Sequence, residues 1–159
     1  MKFEWVNNKR EHIYNKLPER STKHSAGYDF YAPFTVILEP NSKTHLFFTD
    51  IKVKLDKDKV LMLYPRSSLG MKGITLTNTV GIIDADYYGN KNNDGNIGFA
   101  LVNNSDKQII IQQGEKFMQG VIVKYYTTDD DTTTKERKGG FGSTNGTEKK
   151  NIIGRSNKR

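Results

Sequence analysis

Hydrophobic and polar residues alternate along this chain in short bursts, and no stretch sustains a 3.6-residue period. Val53 and Leu55 fall on one face of an extended segment, Lys52 and Lys54 on the other. That two-residue period marks a strand with one face in a core. Similar runs recur at 34–38, 44–48, 51–55, 60–64, 74–76, 98–102, 108–111 and 118–126. Turn formers separate them, as in Glu39-Pro40-Asn41-Ser42 and Asp56-Lys57-Asp58-Lys59. The pattern predicts an all-β sandwich or jelly roll. A single helical turn is expected at 67–71 and little other helix. The polar stretch NKNNDGN at 90–96 reads as an exposed loop between two strands. Residues 127–138 read as a charged, threonine-rich linker to a glycine-rich segment, GGFGST, at 139–144.

Composition narrows this picture. At 159 residues the chain has the size of one domain, and its 35% hydrophobic content is low for a self-contained core. Such a chain is easier to reconcile with subunits that bury surface against each other. The absence of cysteine excludes disulfides, thiolate metal sites and a cysteine nucleophile. It also favours the cytoplasm, or a host's cytoplasm for a viral protein. No apolar run reaches membrane-spanning length and no signal-peptide core is evident. The formal charge is +7, of which residues 146–159 carry +4 (five basic, one acidic), leaving +3 for the rest. That reads as a solvated tail, not a nucleic-acid-binding face. His12, His24 and His45 lack metal-type spacing.

The segment NTVGIIDADYYG, residues 78–89, carries the strongest chemical signal. It sets Asp84 and Tyr87 three residues apart in an apolar, glycine-bounded turn. A carboxylate there can polarise a water, a neighbouring ring can pack on a sugar, and the Asn78 amide can read the edge of a base. Together they suggest a nucleoside pocket with a general base. In PRSSLG, residues 65–70, Arg66 can clamp phosphate oxygens while the N–H groups of a helical turn attract an anion. Alone, a capped turn with a surface arginine fits equally well. In SAGYD, residues 25–29, Asp29 can hold a hard cation through water, or be a turn aspartate. In GEKFMQ, residues 114–119, Gln119 can orient water or phosphate, or lie idle on the surface. In GGFGST, glycines let backbone amides approach phosphate and Phe141 can cover a base, yet in isolation a flexible linker is the simpler reading.

Taken in this order, the five segments resemble the five motifs of the trimeric dUTPase family, from about Lys16 to Asn145. Each motif alone is weak; five in register are highly specific. The resemblance implies a distorted jelly-roll subunit (residues 16–127) in a homotrimer. A linker follows at 128–138, a flexible C-terminal arm at 139–145, an N-terminal extension lies at 1–15 and a basic tail at 146–159. Each active site would be shared among three chains. The implied reaction is magnesium-assisted hydrolysis of dUTP to dUMP and pyrophosphate, which keeps uracil out of DNA and supplies dUMP for thymidylate synthesis. By the same resemblance Asp84 activates the water, and Tyr87 packs on the deoxyribose and excludes a 2′-hydroxyl. Asn78 and the backbone of Gly81, Ile82 and Ile83 read the uracil edge, and Gly98 is a further substrate-binding position. Arg66, Ser67, Ser68 and Gln119 handle the phosphates, with Asp29 beside a magnesium held mainly by substrate. Phe141 covers the uracil, while Gly142, Ser143, Thr144 and Arg137 wrap the terminal phosphates.

This chain departs from the family pattern at three places, the first being that residues 1–15 and the tail after Asn145 lie outside the resemblance. Glu136 stands where many members have the arm arginine, with Arg137 one residue closer to the glycines. The 90–96 loop is longer than in compact members. A dCTP deaminase of the same fold would need a glutamate where this chain has Ala100, which argues against deamination. A second alternative is a regulatory module whose nucleotide-dependent arm closure controls a protein partner. A third, nucleic-acid binding through 148–159, rests on the basic tail alone.

Overall fold

The computed structural model describes residues 1–6 and 16–137. In chain order its elements are β1 (Lys2–Trp5), β2 (Glu19–Arg20), β3 (Tyr28–Tyr31), β4 (Val36–Leu38), β5 (Phe47–Phe48), β6 (Ile51–Lys54) and β7 (Lys59–Pro65). Then follow α1 (Ser67–Gly70), β8 (Ile74–Leu76), β9 (Gly81–Asp84), a 3-10 turn (Ala85–Tyr87), β10 (Gly98–Phe99), β11 (Leu101–Asn103), β12 (Ile109–Ile111) and β13 (Lys116–Lys124). The fold is all-β, as expected, with α1 at the expected helical turn. A five-stranded antiparallel sheet runs β2-β3-β13-β7-β9. Four antiparallel pairs, β1-β6, β5-β10, β8-β11 and β4-β12, complete the jelly roll.

Three aromatic rings from different strands join these layers. Phe30 of β3, Phe99 of β10 and Phe117 of β13 are fully buried. Phe99 meets Phe30 edge-on at 5.6 Å and Phe117 edge-on at 5.1 Å. Edge-to-face pairs of this kind add about 0.5–1.5 kcal/mol each beyond the area they bury. Leu61 and Leu63, alternating inward along β7, close the cluster from the large sheet.

Several sequence expectations need correction. The 98–102 run is two strands, because the Ala100 carbonyl turns out to accept from Thr77 N at 3.0 Å. Lys2–Trp5, outside the predicted strands, pairs along β6 and packs Phe3 and Trp5 on the core. Lys52 does not face solvent. It is buried, with Nζ 2.7 Å from Asp94 and 4.9 Å from the Tyr88 ring centre. Asp94 belongs to the 90–96 stretch, which is therefore folded onto the domain instead of standing clear. Asn90 accepts from the Asn92 and Asn93 amides, while Asn96 is buried and bonded to Asp50 both ways. Asparagine side chains here satisfy the backbone as a strand partner would, which is why polarity alone misled.

Asn103 performs the same service in the core. Fully buried, its Nδ2 donates to the carbonyls of Leu38, Glu39 and Lys107 at 3.1, 3.0 and 2.8 Å. Its Oδ1 accepts from Ser105 N and Oγ at 3.0 and 2.7 Å. Asn103→Ala would strip these hydrogen bonds from a fully buried site, with Ser42 Oγ and Ser105 Oγ still donating to the Glu39 and Lys107 carbonyls, so a loss of about 2–3 kcal/mol is expected. Urea denaturation measures it, with the exposed neighbour Asn104→Ala as the near-neutral comparison.

Candidate active site

Among the described residues, two cavities hold every predicted site residue. The first, of about 490 Å³, is lined by Asn78, Gly81, Ile82, Ile83, Asp84, Tyr87, Gly98 and Arg137. Leu46, Thr77 and Ala100 also border it. The second, of about 240 Å³, is lined by Asp29, Arg66, Ser67, Ser68 and Gln119, with Ser21, Ser25 and Gly27.

Strand β9 builds the first cavity. Residues 81–84 are not a turn, as the sequence suggested, but the edge strand of the large sheet. The turn lies just before, where Thr79 takes a φ of +69° and Val80 N donates to Asn78 O at 2.7 Å. An edge strand has one row of backbone N–H and C=O groups turned away from its neighbour. On β9 that edge, with the Asn78 amide, offers donors and acceptors in a line, which suits the edge of a planar base. Asp84 ends the strand half-exposed, and the 3-10 turn then brings Tyr87 back against the same space. The Tyr87 side chain is buried, its hydroxyl donating to Asn96 O at 2.9 Å and accepting from Asn93 Nδ2 at 2.6 Å. Burial pushes the phenol above its ordinary pKa, opposed by the Asn93 bond and the Arg137 charge. Arg137 lies here and not in the second cavity. Its Nη2 pairs with Asp84 and its Nε with Asp86 at 2.7 Å. No carboxylate stands at Ala100.

The second cavity is built at the opposite end of β7. Arg66 caps α1 in an extended conformation, and the first N–H groups of that turn have no acceptor within it. Asp29 is buried beneath. Its carboxylate accepts from Ser21 Oγ at 2.6 Å and faces Arg66 Nε at 3.1 Å and Lys116 Nζ at 3.0 Å. Burial alone would raise the Asp29 pKa, but Ser21, Lys116 and Arg66 together hold it below the ordinary value. Gln119, opposite Asp29 in the β3–β13 register, packs so closely that a Cβ on Gly27 would lie 2.6 Å from its Oε1. Glycine at 27 is thus what lets Gln119 reach the cavity.

Lys116 and Ser21 were not singled out from the sequence. A register shift in β13 between Lys116 and Met118 defeats simple alternation, so period-two reasoning does not place Lys116 beside Asp29. His24 and His45 are exposed and outside both cavities. Phe141, Gly142, Ser143 and Thr144, and also His12, lie outside the described residues. Among the described residues no group of three His, Cys, Asp or Glu could hold a metal, and no helix is long and apolar enough to cross a membrane.

The sequence model of the dUTPase family matches residues 14–145. The chain belongs to the dUTPase family. The deoxyuridine 5′-triphosphate nucleotidohydrolase of Lactococcus lactis is 42% identical over 131 residues, covering 80% of this chain and 87% of that protein. That of Rickettsia prowazekii is 37% identical over 144 residues, covering 86% and 93%. Among solved structures, dUTPase from Streptococcus mutans superposes with a TM-score of 0.72 at 35% identity, covering 81% of this chain and 99% of that one. Both cavities fall within the family match.

The Asp29 cluster gives a pH signature. A carboxylate whose folded pKa is depressed adds stability that is fully present above its unfolded value, about 3.8, and is lost as pH falls through the lower folded value. Wild-type protein should therefore exceed Asp29→Asn in stability at pH 6, with the gap closing below about pH 4. Urea midpoints taken across that range test this; a gap that stayed constant down to acid pH would refute it.

Proposed function

We propose that this chain hydrolyses dUTP to dUMP and pyrophosphate. The observation that carries the reading is the convergence of Asp84, Tyr87, Asn78 and the open edge of β9 on one cavity in a member of the dUTPase family. Uracil lies along β9 and Asn78, near Gly98. The deoxyribose packs on Tyr87. Asp84 holds a water in line with the α-phosphorus and takes its proton as the oxygen attacks. The bond from that phosphorus to the bridging oxygen breaks, and pyrophosphate leaves with the electron pair. Positioning and charge neutralisation dominate such a transfer. Arg66, the Ser67 and Ser68 hydroxyls and Gln119 supply them, and Arg137 exchanges Asp84 and Asp86 for the γ-phosphate. Phe141 and the Gly142–Ser143–Thr144 amides would close over the bound nucleotide.

Magnesium fits this site as an ion brought in on the phosphates. Asp29 is a lone carboxylate already engaged by two cations and a hydroxyl, so it suits contact through water, not direct chelation. The ion would neutralise developing charge on the phosphate chain.

The two cavities also support a shared site. In the β7 register Asp84 stands opposite Val60, whereas Arg66 follows Pro65 at the other end. Six residue steps along the strand separate them, roughly 20 Å at about 3.4 Å per residue, which is farther than a triphosphate reaches. A second copy must bring its phosphate cavity to the Asp84 of the first. This supports the homotrimer with composite sites.

Pyrophosphate release from dUTP, with UTP, dTTP and dCTP in parallel, tests the reaction. Turnover should be confined to dUTP, and Asp84→Asn should lower it by about 10²–10⁴-fold without unfolding the protein. A folded wild-type protein inert on dUTP would sink the reading. The shared site has its own test. Asp84→Asn and Arg66→Ala should each be inactive alone, yet recover activity when refolded together, because mixed assemblies contain sites with both intact halves. No recovery in a verified mixed assembly would place both halves on one chain.

A further inference from the structure

Tyr87 is held at both ends by the 90–96 loop. Its backbone carbonyl accepts from Asn90 Nδ2 at 2.9 Å. Its hydroxyl accepts from Asn93 Nδ2 at 2.6 Å while donating to Asn96 O at 2.9 Å. Asn93 is itself fixed, its Oδ1 accepting from Asn90 Nδ2 at 2.7 Å and Gly95 N at 3.2 Å. Gly95 has a φ of +84°, and a Cβ there would lie 2.9 Å from the Tyr87 carbonyl, so the loop is pressed onto the segment it clamps. The Tyr87 ring lines the nucleoside cavity; Asn93 does not.

A wall excludes one extra oxygen only as well as it is fixed. A hydrophobic surface that can yield discriminates weakly against an added hydroxyl. A tyrosine fixed only at its Cα can swing about χ1 and χ2. Restraining the hydroxyl, at the far end of that lever, removes the swing. We propose that Asn93 is a specificity-determining positioning residue, whose amide pins the Tyr87 hydroxyl and so fixes the ring that keeps a ribose out of the site. This rests on the reading of Tyr87 as the sugar wall of a dUTP site. Asn93 touches no substrate and acts through Tyr87. The loop that lengthens this chain beyond compact dUTPases is, in this view, a brace for sugar selection.

The test reads binding, so that it does not depend on turnover. Affinities for the non-hydrolysable α,β-imido analogues of dUTP and UTP are measured by calorimetry in the full chain. The proteins are wild type, Asn93→Ala, Tyr87→Phe and the double variant. The wild type should prefer the deoxy analogue. That preference should fall about three- to tenfold in Asn93→Ala, the worth of one hydrogen bond. It should fall at least as far in Tyr87→Phe, which also loses the bond to Asn96 O, and no further in the double variant than in Tyr87→Phe, the non-additivity of two residues acting through one hydroxyl. Asn93→Ser, which keeps a polar group but does not reach the hydroxyl, serves if Asn93→Ala does not fold. A preference unchanged within twofold in a folded Asn93 variant would overturn the proposal and leave Asn93 a merely structural residue. So would effects that multiply in the double variant. A wild type that bound neither analogue would instead overturn the dUTP reading itself, and the role of Asn93 with it.

Discussion

Strand β7 is hydrogen-bonded along both edges, to β13 on one side and β9 on the other, and its register sets where every reactive group stands. A slip of one residue would turn Leu61 and Leu63 out of the core and every neighbour to the opposite face. Burial of those two leucines therefore locks the pairing. With the pairing locked, Asp84 is fixed beside Val60 and Arg66 beyond Pro65. The strand acts as a ruler between the Asp84 cavity and the Arg66 cavity.

The two carboxylates at the ends of that ruler live in different surroundings. Asp29 is buried, and both of its oxygens are engaged by Arg66, Lys116 and Ser21. Its charge serves to orient cations, and removing both Arg66 and Lys116 would strand a buried charge. Asp84 is about half exposed, and its cation comes from Arg137, which lies beyond the last strand where no regular structure holds it. One carboxylate is committed to architecture. The other is held by a contact that can be given up, as the proton-accepting role proposed for Asp84 would require.

Much of this was legible in the sequence, for identifiable reasons. The strand at Val60–Tyr64 announces itself as a continuous apolar run after a polar turn, because a strand in the middle of a sheet is packed on its neighbours. The positions of Asp84, Tyr87 and Arg66 were legible because their chemistry is carried by short contiguous segments. What failed to show were features made by distant pairing. Lys2–Trp5 is short and mixed in polarity, and only β6 makes it a strand. Lys116 meets Asp29 through a bulge that no periodicity encodes. Lys52 and the asparagine-rich loop looked solvated because polar residues usually are, and here Lys52, Asn90, Asn93, Asp94 and Asn96 find partners within the fold. That the Arg66 cavity lies a strand's length from the Asp84 cavity is a property of register, not composition.

That separation has a consequence for inheritance and dosage. If each nucleotide is bound across copies of the chain, a defective copy spoils sites to which its neighbours contribute sound residues. A mixture of good and faulty chains would then lose more activity than its share of faulty chains. The nucleotide in turn becomes a rivet between copies, tightening the assembly by mass action whenever it is abundant.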